Sequence, residues 1–417
     1  MTHSILLVLT SYCKPEQAAS SYLADNINEA YARAGIKSMV YAPTPSRGIS
    51  RELRKEYKHQ RKETALGGMR IIHRFPMYAE GHNTLLRALR YFLVCVCEFF
   101  LGCFAADARQ CQAMYIVSTP PIQGAMAAMV KKVRHIPFIY GLQDIFPDSL
   151  VSTGIARRGG MAWKIGRMIE NFTYRNADRI IVISEDFRKN IMAKGVPEEK
   201  IEVVYNWVDD NVLRDIPRDR NVLIGRYGLD PAKFYVTYCG NIGLTQNLEM
   251  LLDVARSLEQ FDDIHFVLIG NGAYRQQLEQ KIYGQRKNAT LLPFQPYEDI
   301  AHVFSLGDAS LVISKPGTGA SSVPSKTWNI MAASRPVLAS FDDGELHTII
   351  EQNNCGLFIP AGDKGALRDA ILRFYNDRQL CQEMGSNGRK FVLQHLTKEV
   401  GTQRYVDIVK SVIKDDK

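Results

Sequence analysis

The feature that most constrains the fold of this 417-residue chain is a repeated alternation of short apolar runs with helix-like stretches. The runs are rich in β-branched residues and show almost no polar alternation. Parallel strands that are covered on both faces have this composition, because neither face of their sheet meets water. In the first half of the chain, the predicted strands are 5–10, 37–43, 69–75, 113–119, 136–142, 179–184 and 201–206.

A second set of predicted strands begins after a polar, turn-rich region at residues 207–232. Its members are 234–240, 264–272, 289–294, 309–314, 336–341 and 356–360. The predicted fold class is therefore α/β, with two doubly wound parallel-sheet halves. Such sheets bind ligands beyond the carboxyl ends of their strands, so two facing halves predict a site in an interdomain cleft.

The stretch KPGTGASSVPSKTWNIMAASRPVLAS, residues 315–340, is the most informative part of the second half. A predicted strand ends at Ser314, a loop rich in glycine and serine follows, and a helix is predicted to begin around Pro324–Lys326. Free backbone N–H groups at a helix start attract anions, and Lys315 and Lys326 would add full positive charges. The pattern is compatible with a phosphate site and equally with a plain loop before a capped helix.

Two other glycine turns follow predicted strands of the same half. They lie in YCGNIGLTQNLEMLLDVA, residues 238–255, and in LIGNGAYRQQLEQ, residues 268–280. Glycine lets a phosphate approach the backbone closely. Three such turns at the carboxyl ends of strands in one half predict a site for a nucleotide diphosphate.

The order of these motifs resembles the family-4 glycosyltransferases. The resemblance rests on GN-x-G-x-x-Q-N, IGNG, SLGDASLVISKPG and PSK…AASRPVLAS in the second half. It rests in the first half on STPPIQGAMAAM (118–129), LQDIFPDS (142–149), ADRIIVISEDFRKNI (177–191) and GVPEEKIEVVYNWVD (195–209). The similarity runs from about residue 4 to about residue 400, and QDIFPDS and PSKTW look most like O-antigen and capsule transferases of the L-fucosamine type.

The resemblance implies the GT-B fold, which has two facing Rossmann-like domains, and a retaining glycosyltransferase activity. It implies a UDP-sugar donor, which could carry a 6-deoxy-aminosugar, and an undecaprenyl-diphosphate-linked or similar saccharide acceptor. The expected domains are 1–207 for the acceptor and 208–395 for the nucleotide sugar. A C-terminal helix within 396–417 is expected to pack on the first domain.

The chain departs from the family pattern at the donor site. Asn241 and Gln246 stand where most members have Arg and Lys, and Ser321 and Asn329 stand where most have glutamates. Lys326, with Lys315 second, is the expected substitute for the missing positive charge, and Glu345 is the expected carboxylate for the ribose hydroxyls, with a solvated helix-start glutamate as the alternative. The full set of expected donor-binding residues is Gly240, Asn241, Gln246, Gly270, Lys315, Gly319, Ser325, Lys326 and Glu345.

Asp144 is the expected catalytic residue of the first half. It follows the predicted strand 136–142, where family members often place a catalytic His or Asp facing the sugar. A carboxylate there could accept the proton of the acceptor or stabilise positive charge at the anomeric carbon. Asp148 and Asp209 are the alternative catalytic residues. Asp144 could instead have the purely structural role of capping a helix.

Charge and composition set the expected partners. The net charge is +8 and basic residues concentrate in 47–64, a pattern typical of a solvated face that is also suited to anionic lipid. No nucleic-acid-binding motif accompanies it. The apolar segment 91–106 is short for a membrane span and contains Glu98, so a core helix is expected, with an interfacial helix as the alternative.

Cysteine and histidine spacing predicts neither a disulfide framework nor a metal site, so no cofactor is expected besides the donor itself. Free thiols and the absence of a signal-peptide pattern predict a cytoplasmic protein. The lipid-linked acceptor that the resemblance implies adds peripheral contact with the inner face of the membrane. Two other functions fit the same fold. They are a nucleotide-sugar epimerase and a non-catalytic, membrane-associated scaffold, the latter because both family glutamates are missing.

Overall fold

The computed structural model describes residues 4–16, 21–81, 83–152, 157–210, 212–283, 287–319 and 323–415. The chain forms two compact units. The first contains Met1–Tyr205 and Gly401–Lys417, and the second contains Asn206–Val400. Each unit is built on its own sheet and has its own hydrophobic core.

The first unit contains an eight-stranded sheet in the order β3-β4-β2-β1-β5-β6-β7-β8. The strands are β1 (Ser4–Leu9), β2 (Ile36–Pro43), β3 (Lys62–Ala65), β4 (Arg70–Phe75), β5 (Ala113–Val117), β6 (Phe138–Leu142), β7 (Arg179–Val182) and β8 (Ile201–Val203). The helices are α1 (Ser21–Arg33), α2 (Arg51–His59), α3 (Thr84–Phe104), α4 (Gln123–Arg134), α5 (Asp148–Ser152), α6 (Met161–Asn176) and α7 (Glu185–Ala193). All strand pairs are parallel except β3 with β4.

The second unit contains a six-stranded parallel sheet in the order β11-β10-β9-β12-β13-β14. Its strands are β9 (Phe234–Cys239), β10 (Ile264–Ile269), β11 (Ala289–Leu292), β12 (Ala309–Ile313), β13 (Val337–Phe341) and β14 (Gly356–Pro360). Its helices are α8 (Val222–Arg226), α9 (Leu248–Ser257), α10 (Arg275–Tyr283), α11 (Ile300–Phe304), α12 (Lys326–Ala332), α13 (Glu345–Gln352), α14 (Lys364–Asn376) and α15 (Arg378–His395). The last helix, α16 (Lys398–Asp415), lies in the first unit from Gly401 onward.

The predicted α/β class with two parallel sheets is confirmed. Each predicted strand is present, with its ends shifted by only a few residues, because buried apolar runs specify strands locally. The sequence did not indicate β3, a four-residue polar segment whose side chains alternate between exposed and half-buried. Pairing with β4 at the sheet edge, rather than its own composition, gives this segment its conformation.

The order of strands reverses once in each sheet. In the first unit the reversal falls between β1 and β5, and in the second it falls between β9 and β12. A crevice opens at such a point, because the loops after the two neighbouring strands turn to opposite faces of the sheet. These two positions locate the candidate sites.

Within the described residues, none of the helices combines the length and apolar character needed to cross a membrane.

Candidate functional site

Lys326 is the charged residue at the crevice of the second unit. It is the first residue of α12, in the segment that follows β12, and its side chain reaches back to the end of β9. A Cβ atom added to Gly240 would lie 3.1 Å from the Lys326 Nζ. The side chain of Lys326 therefore joins the two strands that flank the reversal point.

The ammonium of Lys326 is held by an aromatic neighbour. Its Nζ donates a hydrogen bond of 3.1 Å to the Tyr238 hydroxyl and lies 4.4 Å from the centroid of the Tyr238 ring. The Tyr238 hydroxyl in turn donates to the backbone oxygen of Asn241 at 2.6 Å. These two hydrogen bonds fix the position of the ammonium, and Nζ keeps further N–H groups that can donate to a ligand.

Burial lowers the pKa of Lys326 to about 8. Within the described part of the chain, no carboxylate forms an ion pair with it. Burial also raises the pKa of the adjacent Cys239 to about 12, so that thiol carries no negative charge at neutral pH. A half-buried cation without an anionic partner favours the binding of an external anion.

Glycines keep the crevice narrow. A side chain on Gly270, which follows β10, would overlap the carbonyl oxygen of Gly240, which follows β9. The backbone of Ile242 also bonds to both Asn271 and Tyr274. Only glycine permits this approach, because a Cβ atom has no space there.

Besides Gly240, two expected donor-binding residues lie in the loop after β9. The side-chain oxygen of Gln246 accepts a hydrogen bond of 3.1 Å from the Gly243 N–H, so Gln246 closes the turn. Asn241 is exposed, and its backbone oxygen is the acceptor for Tyr238. Neither side chain replaces the cations of the family pattern, which increases the importance of Lys326.

The loop after β12 differs from the expected phosphate cradle. The N–H groups of Gly317 and Gly319 donate to the two carboxylate oxygens of Asp342 at 2.9 and 2.8 Å. Lys315 is exposed, and its N–H donates to Thr245 in the loop after β9. In this structure a carboxylate of the protein already occupies the donors that the sequence assigned to a ligand.

The helix start is also less open than the sequence suggested. Ser325 is exposed, its side chain caps no N–H group, and α12 has only 7 residues. The N–H groups of Thr327 and Trp328 donate to backbone oxygens of Pro324 and Ser325. The ammonium of Lys326, rather than a row of free N–H groups, is therefore the anion-attracting feature of this segment.

The remaining carboxylate positions can be located only in part. Asn329 lies within α12, whereas Ser321 lies outside the described residues. Glu345, the expected ribose ligand, is the first residue of α13 and is only 4% exposed. Its role stays a prediction.

Asp144 and Asp148 have different surroundings in the first unit. Asp144 lies in the bend directly after β6 and is exposed. Asp148 begins α5 and forms an ion pair of 2.8 Å with Lys194. Burial raises the pKa of Asp148, but the hydrogen bond and charge of Lys194, the hydrogen bond from Asn190 and the charge of Arg167 together outweigh that effect and lower the pKa. Asp209, the third candidate, belongs to the second unit and accepts from the Val212 N–H at 3.4 Å.

A cavity of about 350 Å³ opens at the carboxyl edge of the first sheet, at its reversal point. Its walls include Thr10 and Tyr12 after β1, Thr119 after β5, and Gln143, the neighbour of Asp144. Arg47 and Arg70 contribute positive charge, Glu16 and Asp25 contribute negative charge, and Arg70 lies 3.8 Å from Asp25. The cavity thus combines apolar walls with polar groups and charges of both signs, and its Gln143 directly precedes the expected catalytic residue in the chain.

No group of three or more potential metal ligands occurs among the described residues. The expectation that the protein needs no metal stays a prediction.

Two family models match the chain, one for each unit. "Glycosyl transferase 4-like domain" matches residues 22–207, and "Glycosyl transferases group 1" matches residues 219–391. WbjE of Pseudomonas aeruginosa, a probable glycosyltransferase, is 25% identical over 283 residues, which span 66% of this chain and 68% of WbjE. WcaI of Escherichia coli (strain K12), named for glycosyl transfer in colanic acid biosynthesis, is 26% identical over 290 residues, again 66% of this chain and 68% of the relative.

Among solved structures, Anabaena Alr3699/HepE in complex with UDP superposes with a TM-score of 0.71 and 18% identity, over 98% of this chain and 100% of HepE. The two parallel-sheet units and this similarity define a GT-B architecture. With the two family models, they identify the chain as a GT-B glycosyltransferase that has a 4-like domain followed by a group 1 domain.

Proposed function

We propose that this protein transfers a sugar from a UDP-sugar to a lipid-linked saccharide during assembly of a surface polysaccharide of the O-antigen or capsule kind. The observation that carries the proposal is the half-buried ammonium of Lys326 at the reversal point of the second sheet, which forms no ion pair with any described carboxylate. The UDP bound by HepE and the colanic acid assignment of WcaI support the donor and the pathway class.

In the proposed reaction, Lys326 neutralises the diphosphate of the donor. Charge-assisted contacts to a leaving diphosphate strengthen as the sugar–oxygen bond breaks, and this strengthening lowers the barrier. A side chain at Gly240 would crowd the ammonium, because its Cβ atom would lie 3.1 Å from the Lys326 Nζ, so glycine at this position keeps the ammonium accessible. Asn241 and Gln246 are left to contact the donor through their remaining amide groups.

The acceptor saccharide is proposed to enter the cavity of the first unit. Tyr12, Thr119 and Gln143 offer hydrogen bonds to sugar hydroxyls, and Arg47 and Arg70 suit a diphosphate on the lipid carrier. Asp144, which is exposed beside this cavity, would accept the proton of the attacking hydroxyl or stabilise charge at the anomeric carbon. A retaining outcome and a 6-deoxy-aminosugar donor complete the proposal and rest on the family resemblance.

The role of Lys326 is tested by calorimetric titration of UDP into the wild type and the Lys326→Ala variant. We expect affinity to fall about tenfold or more, because a hydrogen bond to a charged group contributes about 1.5–3 kcal/mol. Lys315→Ala is the informative comparison and should lose less, since Lys315 is exposed. Lys410→Ala, an exposed lysine of the first unit, is the control. Unchanged UDP affinity in folded Lys326→Ala would refute the assignment.

The role of Asp144 is tested by UDP release from a UDP-sugar. Asp144→Asn should retain UDP affinity while turnover falls by two or more orders of magnitude, as expected for loss of a general base. Asp148→Asn is the matched variant. It removes the ion pair with Lys194, so it should lower thermal stability more than turnover. Normal turnover in Asp144→Asn would place the catalytic role on another residue.

The donor class is tested by thermal-shift measurements with UDP, GDP, ADP and their sugar conjugates. Selective stabilisation by UDP and by one 6-deoxy-aminosugar conjugate is the expected result. Selective binding of GDP would retain the glycosyltransferase but overturn the UDP donor. Binding of none, with no UDP release, would favour the scaffold function.

A further inference from the structure

The helix α3 has one buried face and one exposed apolar face. Residues 90, 94, 98 and 102, spaced four apart, are buried against the first unit. On the opposite side, Leu85 is 81% exposed, Phe92 56%, Phe100 57% and Phe104 55%. Large apolar side chains at helical spacing on an outer face are costly in water, so such a face usually has a partner.

Two neighbouring helices extend this outer face. A Cβ atom on Gly102 of α3 would lie 3.5 Å from the side chain of Val130 in α4, and one on Gly124 of α4 would overlap Thr173 in α6. The helices therefore pack side by side in the order α3, α4, α6.

The outward residues of α4 and α6 are also apolar at helical spacing. Met129 and Val133 of α4 are 45% and 48% exposed, and Met161 and Met168 of α6 are 76% and 66% exposed. We call the outer surface of α3, α4 and α6 the three-helix face.

The charges on the three-helix face have one sign. The three helices contain just two carboxylates, Glu98 and Glu170, and both are buried. The exposed charged residues are all basic, and they include Arg87, Lys132 and Lys164. The Lys132 Nζ lies 4.8 Å from the Phe172 ring centroid, which fixes one of these cations at the α4–α6 border.

A second basic element lies at the beginning of α3. The Arg54 guanidinium of α2 donates to the backbone oxygen of Met77, and the Tyr78 hydroxyl donates to the backbone oxygen of Leu86 in α3. Through these bonds α2, with Arg51, Lys55 and Lys58 exposed, is anchored beside the exposed end of α3.

We propose that the three-helix face docks on the surface of an anionic phospholipid bilayer. Leucine, phenylalanine and methionine would enter the boundary between headgroups and acyl chains, and the lysines and arginines would bind lipid phosphates. The charge pattern selects this occupant over a second copy of the same face, because two faces of one charge sign would repel each other. The three-helix face and the donor site are formed by different residues, so this proposal does not depend on the donor site. Docking would nevertheless bring the chain to the lipid-linked acceptor of the proposed function.

Flotation with vesicles tests the proposal. We expect the full chain to float with vesicles of equimolar phosphatidylcholine and phosphatidylglycerol, and less with phosphatidylcholine alone. The triple variant Leu89→Ser, Phe92→Ser, Phe100→Ser should reduce the bound fraction at least about tenfold, since these side chains supply apolar area to the membrane. The double variant Lys132→Gln, Lys164→Gln should bind the anionic vesicles more weakly than the wild type does, with no change in binding to phosphatidylcholine vesicles.

The controls separate docking from misfolding and from donor binding. Leu393→Ser, at a 44% exposed leucine of the second unit, should float like the wild type. The triple variant should retain its UDP affinity and circular dichroism, and Lys326→Ala should float normally. Equal flotation of the wild type and the triple variant would overturn the proposal. The proposal would also be overturned if the wild type formed a dimer that binds no vesicles and the triple variant were a monomer.

Discussion

At the residue scale, the environment of Lys326 weakens its hold on a proton until an anion binds. Burial lowers its pKa to about 8, whereas a bound diphosphate would raise the pKa again by adding opposite charge. The two protonation equilibria are therefore linked: binding of UDP above pH 8 requires uptake of a proton. A lysine in this state can discriminate between charged and uncharged ligands.

The linkage predicts how UDP affinity depends on pH. Affinity should be nearly constant from pH 7 to 7.5 and then fall by up to about tenfold per pH unit above pH 8, because free Lys326 loses its proton there. Titration calorimetry between pH 7 and 9.5 measures this slope. Lys326→Arg should flatten it, since arginine stays protonated, whereas Lys315→Ala should preserve it. A flat wild-type profile would contradict a lowered pKa at the binding site.

Gly270 provides a second prediction at the residue scale. Gly270→Ala would place a Cβ atom on the carbonyl oxygen of Gly240, at a φ of +152°. We expect a loss of about 2 kcal/mol or more in the free energy of unfolding, together with weaker UDP binding. Gly195→Ala, at a φ of +86° but with open space around it, is the control and should cost about 1 kcal/mol without affecting UDP. Urea unfolding and calorimetry measure both quantities.

At the element scale, α3 and α6 each bury one glutamate, in opposite settings. Glu98 in α3 accepts from the Gln123 amide at 3.0 Å, and burial raises its pKa well above the usual value. Glu170 in α6 accepts from Lys194 at 2.8 Å and also bonds to Arg167 and Tyr174. The first is therefore a carboxyl whose charged form is disfavoured by burial, and the second is the centre of an ion-pair network.

These settings predict opposite effects of glutamine. Because the folded pKa of Glu98 is raised, the unfolded chain ionises first, and Glu98 lowers stability as pH rises above about 4.5. Glu98→Gln should therefore raise the unfolding free energy at pH 7, because it removes a carboxyl whose charged form burial disfavours. Glu170→Gln should lower the unfolding free energy by about 3 kcal/mol, because the largely buried Arg167 loses its carboxylate partner and Lys194 keeps only Asp148 among the described carboxylates. Urea unfolding at pH 5 and pH 7 measures both, and a wild type that loses no stability relative to Glu98→Gln between pH 5 and pH 7 would contradict the raised pKa of Glu98.

At the scale of the whole molecule, the sequence predicted those features of the fold that depend on residues close together in the chain. Apolar runs gave the strands and their parallel class, and the glycine turns were correctly placed at strand ends. The bonds of Asp342 to Gly317 and Gly319 join residues that are 25 and 23 positions apart. Tyr238 and Lys326 are 88 apart. No local periodicity reports such pairings, so the true neighbours of Lys326 required the structure.

The separate units predict separable responses to two ligands. Because the donor loops belong to the second unit and the three-helix face to the first, UDP should slow hydrogen exchange mainly at 240–246 and 270–274. Anionic vesicles should slow it mainly along α3 and α6. Lys326→Ala should remove the first pattern and spare the second, and the triple serine variant should do the reverse. Exchange followed by mass spectrometry measures both in one preparation of the full chain. If vesicles slowed hydrogen exchange only within residues 206–400, the membrane contact would lie in the second unit. That result would refute the proposal that the three-helix face docks on the bilayer.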